Sequence, residues 1–143
     1  MKNFFVNTVA SLVLVLIFQS GSAQTTKQDT FYYLADTLHP PVQDRMISVK
    51  QENNNQFFTI ECPCLQDNNK PVFRTNITKA VQLDAAKFKA LKLTRLSELV
   101  SLVKKSDTRN FNKTHLVYFI RKDGPAYYKN RAYFLGGQVT TTD

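Results

Sequence analysis

Residues 115–121, HLVYFIR, are apolar on both alternations of an extended chain. Leu116, Tyr118 and Ile120 fall on one side, Val117 and Phe119 on the other. Successive side chains of a strand point to opposite faces. This segment therefore asks for cover on both sides and reads as a central strand rather than a rim. KDGP (122–125) follows, and Asp123-Gly124 is a pair suited to a tight hairpin. AYYKNRAYFL (126–135) is expected to pair back, with a kink near Asn130, and Gly136-Gly137 ends the element.

The rest of the chain supplies partners for this hairpin. FYYLA (31–35) is a short aromatic run expected to dock on the core or add an edge strand. Pro40-Pro41 bars the next segment from a helix interior or a central strand. RMISVK alternates weakly with period two, and FFTIEC is rich in aromatic and β-branched residues. The QENNNQ between them is a turn, because asparagine tolerates left-handed backbone. These residues make a second hairpin, and VFRTN a further short strand. Helical signals occupy the middle. Asp84 caps AAKFKAL, with Phe88 and Leu91 on one side, and Thr94 is the expected cap of RLSELVSLVKKS. There Leu96, Leu99, Val100 and Val103 form one apolar stripe at helical spacing, fit for a core. Lys104 and Lys105 suit the carbonyl end of that helix dipole. Strands, then helices, then strands, with no βαβ alternation, predict an α+β fold. The expectation is one small domain with a mostly antiparallel sheet and helices on one face.

Met1-Lys2-Asn3 is a short positive start, followed by the apolar run FFVNTVASLVLVLIF and then QSGSAQ, with small Gly21 and Ala23 two apart. That order reads as a signal peptide over residues 1–23, cleaved on export. A flexible leader (24–30), the domain (31–137) and a frayed tail (138–143) would follow. About 120 residues suffice for one modest core. No later stretch is apolar for the ~20 residues of a membrane span, so the expected location is secreted or periplasmic, without stable membrane insertion after cleavage.

The formal net charge of +8 is unevenly placed. Residues 24–69 carry three basic and six acidic side chains, whereas residues 70–143 carry fifteen basic and five acidic ones. A basic half on an exported chain suits an anionic polymer, a cell-envelope component or an acidic protein, rather than nucleic acid. The densest interleaving of aromatic and basic residues is C-terminal: Arg121, Lys122, Tyr127, Tyr128, Lys129, Arg131 and Tyr133. Rings flanked by cations suit sugars and anionic polymers, while a sheet with one face buried and lysines on the other explains the same residues blandly.

The two cysteines, Cys62 and Cys64, flank Pro63. Pro63 holds Cys62 extended, where Cα atoms two residues apart lie ~6.6 Å from each other. A disulfide prefers ~5.5–6 Å, so a bridge needs a bend there. Three readings stand: a local disulfide staple, a redox pair, or two thiolates for Cu(I), with His115 or His39 as further ligands. Glu61 beside the pair would raise a thiol pKa and speaks against an activated thiolate. Neither histidine lies in a catalytic signature, the carboxylates form no close pair, and no Gly-rich phosphate loop exists. No cofactor is expected, and the leading reading is a non-catalytic binding or structural module, with thiol redox or Cu(I) handling as the rival. Asn76 and Asn112 open N-x-T sequons, relevant in a host that glycosylates asparagine.

Overall fold

The computed structural model describes residues 28–35, 46–62 and 70–137. The expected signal peptide and tail, most of the leader, the Pro40-Pro41 connector with His39, and Cys64 lie outside these residues. Seven strands form one sheet: β1 (Asp29–Leu34), β2 (Ile47–Glu52), β3 (Asn55–Ile60), β4 (Pro71–Asn76), β5 (Val81–Leu83), β6 (His115–Asp123) and β7 (Ala126–Gly137). Among the described residues the α-helices are α1 (Ala85–Lys89), α2 (Leu96–Lys105) and α3 (Phe111–Thr114), with a 3-10 turn at Ile77–Lys79. The sheet order is β1-β6-β7-β4-β3-β2, with β5 pairing β7 beside β4. Every pairing is antiparallel except β1 with β6. The fold is a small α+β domain with a mostly antiparallel sheet.

Local chemistry sets the turns. In the β2–β3 hairpin Asn53 takes the left-handed φ of 52°, which asparagine tolerates better than most residues. Gly124 does the same at φ 55°. Asp123 pairs with Ala126, so the closing pair is Gly124-Pro125 rather than the expected Asp123-Gly124. Glycine supplies the positive φ and proline the fixed negative one. The expected kink near Asn130 is absent, because the β6–β7 register runs unbroken from Val117↔Ala132 to Asp123↔Ala126. The irregularity falls later, where Val72 pairs Gly136 but Phe73 pairs Phe134. Gly136 adopts φ 95° there, a conformation open chiefly to glycine.

Asp84 caps α1 as expected, its carboxylate accepting the Lys87 amide N–H at 2.7 Å. Thr94 does not cap α2: its N–H donates to Tyr32 O at 2.7 Å, and Leu93 forms an isolated bridge with Tyr32. The outer side of β1 is thereby partly covered. The cap position passes to Arg95, whose N–H is held by the Glu98 carboxylate at 2.9 Å.

The α2 stripe Leu96, Leu99, Val100 and Val103 is buried in one cluster with Tyr33, Phe58, Phe73, Phe111, Val117, Phe119, Ala132 and Phe134. Strand alternation places these sheet residues on one face. Phe119 is the hub, edge-on to Phe58 at 4.6 Å and to Tyr33 at 5.4 Å, and tilted against Phe73. The helices do not all share that face. Phe88 of α1 stacks on Tyr127 at 3.7 Å, and Tyr127, opposite Lys122, points away from the α2 side. The chain thus leaves α1 on one face, rounds the β1 edge at Leu93-Thr94, and lays α2 on the other. β6 is interior, as its pattern demands, and among the described residues its second face is closed near Ile120 and Leu83, both buried. Leu116 and Tyr118 stay half-buried.

Candidate functional site

Away from α1, no described helix covers the face opposite α2, hereafter the open face. Residues that alternation assigns to it are Tyr32 (β1), Tyr118 and Lys122 (β6), Tyr127, Lys129, Arg131 and Tyr133 (β7), Arg74 (β4), Phe57 (β3) and Lys50 (β2). The registers align them in two rows. Tyr32 stands opposite Tyr118, and Tyr118 opposite Arg131. Tyr133 stands opposite Arg74, Arg74 opposite Phe57, and Phe57 opposite Lys50.

Rings and cations interleave within these rows. Tyr32 and Tyr118 stack with centroids 5.6 Å apart and planes 20° from parallel. Lys129 Nζ lies 5.0 Å from the Tyr118 centroid. The Arg131 guanidinium contacts two rings, Tyr118 at 5.6 Å and Tyr133 at 5.5 Å, and Nη2 donates to His115 O at 3.2 Å. A cation over a tyrosine face is held by the ring quadrupole, so Arg131 and Lys129 keep their positions without a carboxylate. Among the described residues Arg74, Lys122, Lys129 and Arg131 form no ion pair. The strand carboxylate on this face, Glu52, is taken by Lys50 at 2.8 Å. Such an array has the chemistry to receive an anion. Lys129 and Arg131 are held by rings, and the face also carries Tyr133, 45% exposed.

The C-terminal residues singled out in the sequence divide between the two faces. Lys122, Tyr127, Lys129, Arg131 and Tyr133 share the open one. Arg121 and Tyr128 stand opposite each other on the α2 side, where the guanidinium lies 5.7 Å from the ring and 3.9 Å from Asp123. Those two residues do not belong to the open surface, and Tyr127 is occupied by Phe88. Tyr32, Tyr118, Arg74 and Phe57 join it from other strands. Only the pairing register brings them near Arg131, although their alternation within VFRTN and HLVYFIR already carried half the signal.

His115 is a packing residue. Its ring lies 4.9 Å from Phe111 and 5.9 Å from Phe31, and Nδ1 is 2.7 Å from Thr114 Oγ1. Cys62 follows β3, half-buried against the core, and is not a free thiol. Among the described residues no cluster of three or more His, Cys, Asp or Glu is arranged to hold a metal ion, and no helix is long and apolar enough to cross a membrane. Asn112 is spent on the backbone: its side-chain amide donates to Phe134 O at 2.8 Å and accepts from Phe134 N–H at 2.9 Å. No family model, curated protein or solved structure matches this chain.

Proposed function

We propose that this chain is an exported, non-catalytic binding module whose open sheet face holds an anionic polymer of the cell envelope. One observation carries the reading: Arg74, Lys129 and Arg131 share a sheet face that no described helix but α1 covers, Lys129 and Arg131 lying over tyrosine rings and none of the three paired with a described carboxylate. Fixed cations bind polyanions through displaced counterions and direct pairing, so affinity falls steeply with salt. Tyr133 and Phe57 add flat apolar surface for the uncharged parts of such a polymer. Export rests on the order of charge, apolar run and small residues at the N-terminus.

The test is retention on immobilised heparin, a sulfated polysaccharide, at low salt. The protein should bind, elute with rising salt, and outlast an inert protein of equal net charge. Elution together with that control would reject the proposal.

The rival reading uses the cysteines. Cys62 is not a free thiol, and Cys64 is the other cysteine of the chain. We assign the pair to a bridge that staples the end of β3. It closes a very small loop, so its contribution to stability is small. A reduction potential below about −300 mV marks a structural bridge, and a clearly higher one would favour thiol exchange.

A further inference from the structure

The α2 side of the sheet is not apolar throughout. Gln56 in β3 stands opposite Thr75 in β4, and Thr75 opposite Ala132 in β7. Two residues back along β7, on the same side, is Asn130, opposite Phe119. Arg121 follows Phe119 by two residues in β6. Gln56, Thr75, Asn130 and Arg121 thus lie on a diagonal across four strands, each a direct or diagonal neighbour of the next at ~5–8 Å.

Thr75, Asn130 and Gln56 are 1%, 3% and 8% exposed. Each has a buried oxygen with no hydrogen-bond partner among the described residues: Thr75 Oγ1, Asn130 Oδ1 and Gln56 Oε1. Arg121 Nε is a fourth such atom. Gln56 is oriented by its own amide, which donates to Gln51 Oε1 at 3.4 Å, and that bond leaves Oε1 over. A bare buried polar atom costs roughly tenfold or more in the folding equilibrium, and native proteins keep few of them. Four at adjoining positions point to a shared partner.

The chemistry of the four atoms selects that partner. The Gln56 and Asn130 amide oxygens repel an anion, and the Arg121 guanidinium repels a metal cation. A neutral molecule that both donates and accepts satisfies the set, and the smallest is water, which typically makes about three hydrogen bonds in such sites. We infer that Gln56, Thr75, Asn130 and Arg121 line an internal site for ordered water on the α2 side of the sheet. The diagonal continues to exposed Gln51 at one end and half-buried Tyr128 at the other, which gives solvent a polar route in.

Water–protein cross-relaxation NMR on the full chain tests the inference. Long-lived water should give cross-peaks to the Asn130 side-chain amide and to the Thr75 methyl. Their absence overturns the site, whatever any variant does. Thr75→Val keeps the shape and removes one ligand of the water. If the site is occupied, the unfolding constant rises about tenfold and the denaturation midpoint drops. An unchanged or raised midpoint would mean that the hydroxyl had no partner to lose, and the inference falls.

Discussion

Asn112→Ala is the substitution whose cost follows most directly from the geometry. The β6–β7 ladder begins at Val117↔Ala132, so Phe134, farther along β7, has no β6 partner there. Asn112 of α3 takes that place with two hydrogen bonds, to Phe134 O at 2.8 Å and from Phe134 N–H at 2.9 Å. Phe134 is 5% exposed and packs against Phe73 and Phe111, so water reaches its backbone poorly. Removing the amide orphans one donor and one acceptor, each worth ~1–3 kcal/mol when buried. Some relaxation is expected at the edge of the ladder, so the estimate is about 2–4 kcal/mol. Asn112→Asp keeps the acceptor for Phe134 N–H, loses the donor, and sets a carboxylate against Phe134 O. It should therefore also be destabilising. Urea denaturation followed by circular dichroism, at an unchanged m-value, measures both variants. A loss under ~0.5 kcal/mol for Asn112→Ala, within the range of an ordinary surface substitution, would refute the clamp. The same geometry predicts that a glycan on Asn112 is incompatible with the native fold.

Leu99→Ala and Ile120→Ala each remove a fully buried side chain, and each should cost ~2–5 kcal/mol in denaturant melts. They lie on opposite faces of the sheet, so the double variant should be close to additive. The Lys87 amide that donates to Asp84, helped by the Lys87 side chain, holds this carboxyl below its ordinary value of 3.8. Its contribution is therefore complete above pH 3.8 and fades as pH falls through the lowered folded value. In a pH titration Asp84→Asn should flatten the acid limb below that point while leaving stability at neutral pH little changed, since asparagine still caps. Mass spectrometry of protein from its native compartment should find no alkylatable thiol and a chain beginning near Gln24. A retained Met1 or free thiols would contradict export and the bridge respectively.

Much of the fold was legible because period and turn chemistry are local. The α2 stripe, the Asp84 cap and both hairpins follow from spacing and turn residues, and of the two places open to FYYLA, docking on the core or an edge strand, β1 takes the edge. The errors came where a tertiary partner overrode a local preference. Thr94 reads as a cap, yet its N–H serves Tyr32 in β1, and the cap moved to Arg95. The short α1 crossed to the far side of the sheet because Phe88 found Tyr127, a contact no helical periodicity encodes. The site was half legible. Lys129, Arg131 and Tyr133 share one alternation of β7 and could be grouped from sequence, whereas Arg121 and Tyr128 sit on the opposite alternation. Tyr32, Tyr118 and Arg74 come from strands far apart in the chain, and only the register supplies them.

The central claim is that the open face, rather than positive charge in general, meets the anionic partner. Two variants of equal net charge separate these ideas on immobilised heparin. Arg74→Gln/Lys129→Gln removes cations from the open face, and Lys105→Gln/Arg109→Gln removes as many from exposed positions on and just after α2. The account predicts that the first elutes at distinctly lower salt and the second close to the unmodified protein. Equal losses for the two, or the larger loss for the α2-side pair, would contradict it.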